Sequence, residues 1–147
     1  MKIALPISES DTLYKNNPLT APKFAIYNIE ITKSADVYFS LDSIIENRFY
    51  QTKGTSFDTN ELSCNCDKSR EQNLRHICDH YALHELIKGC SYLLASKYCL
   101  NTKNSMQSVG IKIFKIPAII NKINFAINNF IIGGSLAYKI TDIHHAS

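Results

Sequence analysis

The sequence predicts a single α/β domain whose mixed, mainly parallel five-stranded sheet is flanked by helices. Three observations carry this. The first third of the chain is rich in β-branched and aromatic residues with stretches of period-two alternation. The middle holds one long pattern with helical start and stop signals. Beyond it, strand-like and helix-like segments alternate, which implies right-handed crossovers and parallel pairing. With 147 residues, the chain is long enough to bury one core unaided.

Lys2 to Pro6 is a short apolar run ended by proline, the pattern of a buried first strand that opens into a loop. The loop from Ser8 to Pro22 carries the turn formers Asn16, Asn17, Pro18 and Pro22. Lys23 to Ile31 is a second strand, and Val37 to Leu41 its hairpin partner. Ser43 to Tyr50 is compatible with either a strand extension or a short helix, and Gln51 to Ser63 reads as loop. A helix from Asp67 or Ser69 to Lys88 has capping residues at its start and Gly89 at its stop. Its apolar stripe comprises Leu74, Ile77, Cys78, Tyr81 and Ala82. Ser91 to Tyr98 follows as a buried strand, Asn101 or Thr102 to Val109 as a short helix stopped by Gly110, and Ile111 to Ile116 as a fifth strand. Ile119 to Ile132 closes the domain as an amphipathic helix ended by Gly133 and Gly134, leaving residues 133–147 as a tail.

Composition narrows the function. A net charge of +3, with Lys and Arg scattered, provides no basic stripe for a phosphate backbone, so nucleic acid is not an expected partner. Met1 to Ile7 is too short an apolar run for a leader, and the polar residues between Ile111 and Ile132 exclude a membrane span. A cytoplasmic location is expected. There, five cysteines point to burial, metal ligation or redox chemistry rather than disulfides.

All five lie between Ser63 and Cys99. Cys64 and Cys66 flank one residue in a loop, with Cys78 and His80 on the helix just downstream. Thiolates with an imidazole suit zinc or an iron-sulfur cluster. These four are the expected metal ligands. Cys90, at the start of a strand, is expected in the core. Cys99, at a strand's carboxyl end, sits where open α/β sheets place their ligands and is the expected cofactor-binding residue. His76 and His84 read as a polar helix face, and His144 and His145 belong to the tail. No phosphate-binding glycine loop, nucleophile elbow or His-Glu-x-x-His is present, and no carboxylate in the first strand favours a nuclease.

The opening Met1-Lys2-Ile3-Ala4-Leu5-Pro6, the pair Asn17-Pro18 and the run Ala21 to Tyr27 resemble the nitrogenase iron-molybdenum cofactor accessory domain. Gly89 to Ala95 and Gly110-Ile111-Lys112-Ile113-Phe114 resemble that family's later strand and closing signature, so the likeness spans Met1 to Ile132. It implies a ribonuclease-H-like three-layer fold over residues 1–132, with residues 51–66 as a cysteine-bearing insertion. It also implies a non-catalytic role in binding, storing or transferring an iron-sulfur or iron-molybdenum cluster, with a cluster donor or acceptor protein as partner. Two departures stand out. Leu19-Thr20 replaces the family's His-Phe-Gly, and Cys99-Leu100-Asn101-Thr102 replaces its glycine-rich loop. The cysteine segment is the expected substitute. Two alternatives stay open: a structural zinc site in an interaction protein, and a thiol enzyme or redox sensor using Cys99 or Cys64.

Overall fold

The computed structural model describes residues 1–34, 36–48 and 83–146, the stretch 135–146 by its backbone alone. Strands β1 (Lys2–Ile7), β2 (Lys23–Ile31) and β3 (Val37–Glu46) are followed, after the helical residues 83–86, by β4 (Tyr92–Ala95). Helix α1 (Leu100–Ser108), β5 (Lys112–Lys115) and α2 (Ile123–Ala146) complete the order.

The strands form one open sheet in the order β3-β2-β1-β4-β5. β1 pairs antiparallel with β2, and β2 with β3, whereas β1–β4 and β4–β5 are parallel. The sheet is mixed in equal parts rather than mainly parallel. The reason is that the loop after β1 returns the chain antiparallel, and the β2–β3 hairpin then extends the sheet on that side.

Alternation along the central strands divides the core into two layers. Ala4, Phe24, Ile26, Leu93 and Ala95 face one side and pack with Leu83, Ile87 and Met106. Ile3, Leu5, Ile29 and Leu94 face the other and pack with Ala126, Ile127 and Phe130 of α2. The Phe130 ring sits 4.8 Å from that of Tyr92 and 5.2 Å from that of Phe114. With both faces covered, the inner strand reads as continuous apolar sequence, and Ile3 through Ile7 are all buried. Of the expected helix from Asp67 or Ser69, only the end from Leu83 is described, where Leu83 and Ile87 are fully buried; the expected stripe of Leu74, Ile77, Cys78, Tyr81 and Ala82 and the expected loop before it from Gln51 lie outside the described residues.

Several boundaries move. β3 runs to Glu46, five residues beyond the expected Leu41. The register steps from Tyr27↔Leu41 to Ile26↔Ser43, leaving Asp42 as an extra residue. Such a bulge breaks period-two alternation, which leaves the segment from Ser43 compatible with either a strand extension or a short helix in the sequence; as far as Glu46 it is the strand extension. β4 ends at Ala95, because the chain leaves the sheet to reach the start of α1. Gly89 and Gly110 adopt φ values of +91° and +78°, as their stop positions require.

The expected stop at Gly133 and Gly134 is not taken, and α2 continues to Ala146. A Cβ on Gly133 would meet Phe114 Cε2 at 2.9 Å. Its glycine allows the helix to approach the sheet closely, rather than ending the helix.

Candidate functional site

β1, β4 and β5 run parallel, so their carboxyl ends share one edge of the sheet. Three connections gather there: residues 8–22 after β1, 96–99 after β4 and 116–122 after β5. The ammonium of Lys15 donates to the Ala118 carbonyl and ties the first to the third.

The connection after β1 is internally braced. Asn17 caps a 3-10 turn (Pro18–Thr20), its side-chain oxygen accepting from the Leu19 N–H at 3.2 Å. Pro18 enters at a position where its missing N–H costs nothing. Thr20 Oγ1 donates to the Asn17 carbonyl and lies 2.7 Å from the Tyr14 hydroxyl. From the far end of β3, Asn47 Nδ2 donates to the carbonyls of Leu19 and Ala21, both at 2.8 Å.

The connection after β4 is short, with Lys97 exposed and Ser96 and Cys99 buried. Cys99 is the N-cap residue of α1 but makes no side-chain cap bond; its Sγ lies 3.4 Å from Thr102 Oγ1. Ser96, Cys99, Asn101, Thr102 and Ser105 are all buried. Ser105 Oγ donates back to the Thr102 carbonyl at 3.0 Å. Ser96 Oγ and Asn101 Nδ2 are buried with no hydrogen-bond partner among the described residues. An orphaned buried polar atom costs about 1–3 kcal/mol, so both keep hydrogen-bonding capacity to spare. These two residues were missed in the sequence reading. The available signal was three polar residues, Ser96, Asn101 and Thr102, where strand-to-helix packing ordinarily calls for apolar ones.

Of the expected site residues, the structure places Cys99 at this edge. Cys64, Cys66, Cys78 and His80 lie outside the described residues, as does His76. His84 Nδ1 lies 3.5 Å from Glu85 Oε1, and that imidazole is largely covered rather than part of an open polar face. Cys90 is a buried thiol in the core layer with Leu83 and Ile87, and burial pushes its pKa up, as an inert core cysteine requires. Among the described residues, no three His, Cys, Asp or Glu side chains gather into a group that could hold a metal ion. Among them, too, no helix is long and apolar enough to cross a membrane.

No protein-family model matches the chain, and no curated protein matches it. Several solved structures are similar to it, two of them as follows. One is the crystal structure of PH0822, 15% identical with a TM-score of 0.49, covering 90% of this chain and 92% of that one. The other is the NMR structure of a candidate NifB protein of the DUF35 family from Thermotoga, 18% identical with a TM-score of 0.44, covering 88% and 85%. At these identities neither names a family for this chain.

Proposed function

We propose that this protein binds, stores or transfers an iron-sulfur or iron-molybdenum cluster, without turnover of its own, between a donor and an acceptor protein in cofactor assembly. A ribonuclease-H-like arrangement of the sheet belongs to the same reading. Cys64, Cys66, Cys78 and His80 are the proposed ligands, and Cys99 the residue that meets the cargo at the sheet's carboxyl edge.

The supporting observation is the β4–α1 connection. It sets a buried thiol at the carboxyl end of a parallel strand, within a few residues of two buried polar atoms, Ser96 Oγ and Asn101 Nδ2, that no group among the described residues satisfies. Open α/β sheets bind their ligands at this edge. Thiolates supply iron ligation, and hydrogen-bond donors beside a cluster stabilise its sulfides and tune its potential.

Anaerobic purification followed by iron, zinc and acid-labile sulfide analysis tests the proposal. Iron with sulfide and a broad thiolate-to-iron absorption supports it. Zinc without sulfide makes the cysteine segment a structural staple. A protein that stays empty after reconstitution with iron and sulfide overturns it and directs attention to Cys99 as a reactive thiol, read by its alkylation rate.

A further inference from the structure

From Leu86 to Thr141 every charged side chain is a lysine. The fold collects four of these at the carboxyl edge of the parallel strands: Lys97 in the connection after β4, Lys103 in the first turn of α1, Lys115 at the end of β5 and Lys122 just before α2. All four are exposed. Among the described residues the carboxylates of this edge, Glu9, Asp11 and Glu46, stand toward its β2 side, where they act on Lys23. The β4–β5 side thus carries positive charge with no carboxylate of its own among the described residues.

The same side holds the N-terminus of α1. The N–H groups of Leu100, Asn101 and Thr102 precede the helix's first bond, which the Lys103 N–H donates to the Cys99 carbonyl at 3.1 Å. No acidic residue lies in that first turn. Helix N-termini attract anions through such N–H groups and through the aligned peptide dipoles. Here two side chains add to them. Asn101, in the same turn, and Ser96, which opens the connection, are each 7% exposed, and Asn101 Nδ2 and Ser96 Oγ have no hydrogen-bond partner among the described residues. Turning either side chain toward a ligand forfeits no bond at that atom. Leu100, next to Asn101, is 49% exposed, so the turn reaches the surface.

We infer that the N-terminus of α1 binds a small oxyanion of the phosphate class, free or as the end group of a phosphate monoester. Asn101 Nδ2, Ser96 Oγ and the first-turn N–H groups hold its oxygens, and Lys97 and Lys103 stand at the rim. A phosphate offers acceptors in several directions, which suits a site made of donors, and hydrogen bonds to an ionised acceptor are the strong ones. The lysines raise the local anion concentration. A nucleic acid fits less well, because lysines gathered round one helix end form no stripe along which a phosphate backbone could run. The site needs no thiol, so it goes beyond the cluster reading.

Inorganic phosphate titrated into the full chain and followed by amide NMR tests this. The expected result is saturable shifts centred on residues 96–103 that chloride at the same ionic strength does not reproduce. Asn101→Asp puts a carboxylate beside the anion and raises the phosphate Kd by about tenfold or more. Ser96→Ala raises it a few-fold; because that hydroxyl has no partner among the described residues, its loss leaves the fold intact and reads the site even where Asn101→Asp unfolds the protein. Lys112→Gln, at the opposite end of β5, leaves the Kd unchanged. Glycerol phosphate is titrated in parallel: tighter binding identifies the ligand as a phosphorylated small molecule, and equal binding as the free ion. An absence of saturable shifts at millimolar phosphate overturns the inference. So does binding that Ser96→Ala leaves intact, or that Lys112→Gln weakens as much, since the lysines are then surface charge alone. Phosphate binding by the Cys64→Ser, Cys66→Ser double variant, set beside its iron content, reads the failure of either proposal apart from the other.

Discussion

The side-chain amide of Asn47 donates to the backbone carbonyl of Leu19 at 2.8 Å, joining the end of β3 to a turn at the sheet's carboxyl edge. A second bond from the same Nδ2 reaches the Ala21 carbonyl. Asn47 is fully buried, so water cannot replace either bond. Asn47→Ala should cost about 2–3 kcal/mol, because two carbonyls lose their donor inside the protein. Urea unfolding measures it. A loss below about 0.5 kcal/mol would show that the brace is dispensable.

The adjacent glycines of α2 should respond in opposite directions. Gly134 has nothing within 4 Å of a built Cβ, so Gly134→Ala should stabilise by about 0.5–1 kcal/mol through helix propensity. At Gly133 the new methyl would press on Phe114, whose ring is held against Phe130. Overpacking of about 1–3 kcal/mol should cancel or exceed the same gain. Equal stabilisation by both variants would mean that α2 does not approach β5 as closely as described.

Cys90 should leave a signature at high pH. Burial raises its pKa above the ordinary 9.0, so the fold holds a proton that the unfolded chain releases. The resulting contribution is fully present below the unfolded value and lost as pH climbs through the folded one. The stability difference between wild type and Cys90→Ala should therefore shrink as pH rises above 9.0. A difference that stays constant over that range would show that the thiol is not desolvated.

Cluster loading should divide the cysteines. Cys64→Ser with Cys66→Ser should bring iron per chain close to zero, while Cys90→Ala should leave it unchanged, because that thiol lies in the core layer. Cys99→Ser keeps a hydroxyl beside Thr102 and separates the packing role of the side chain from its sulfur. Iron analysis after anaerobic reconstitution reads all three. Unaltered iron in the double variant would remove the cysteine loop from the site.

Most strands were readable from sequence because their chemistry is local. Val, Ile, Phe and Tyr at alternate positions bury one face and leave the other wherever the sheet lies. Readability failed where a residue's role depends on something distant. Asp42 is a bulge only because β2 sets the register, and an extra residue is invisible without its partner strand. Gly133 looks like a helix stop until Phe114 is seen to need its missing side chain.

The candidate site divides along the same line. Thiols and imidazoles suggest soft-metal chemistry by type alone, so the sequence offers Cys64, Cys66, Cys78, His80 and Cys99 as candidates. Ser96 and Asn101 could not, because they are ordinary polar residues until folding buries them without partners. By itself, the sequence determined most of the strand and helix inventory among the described residues, since periodicity and turn chemistry act over a few residues. The tertiary structure alone decided the order of the strands and which buried polar atoms are left without a partner among the described residues. Those depend on residues far apart in the chain competing for the same space and the same hydrogen bonds.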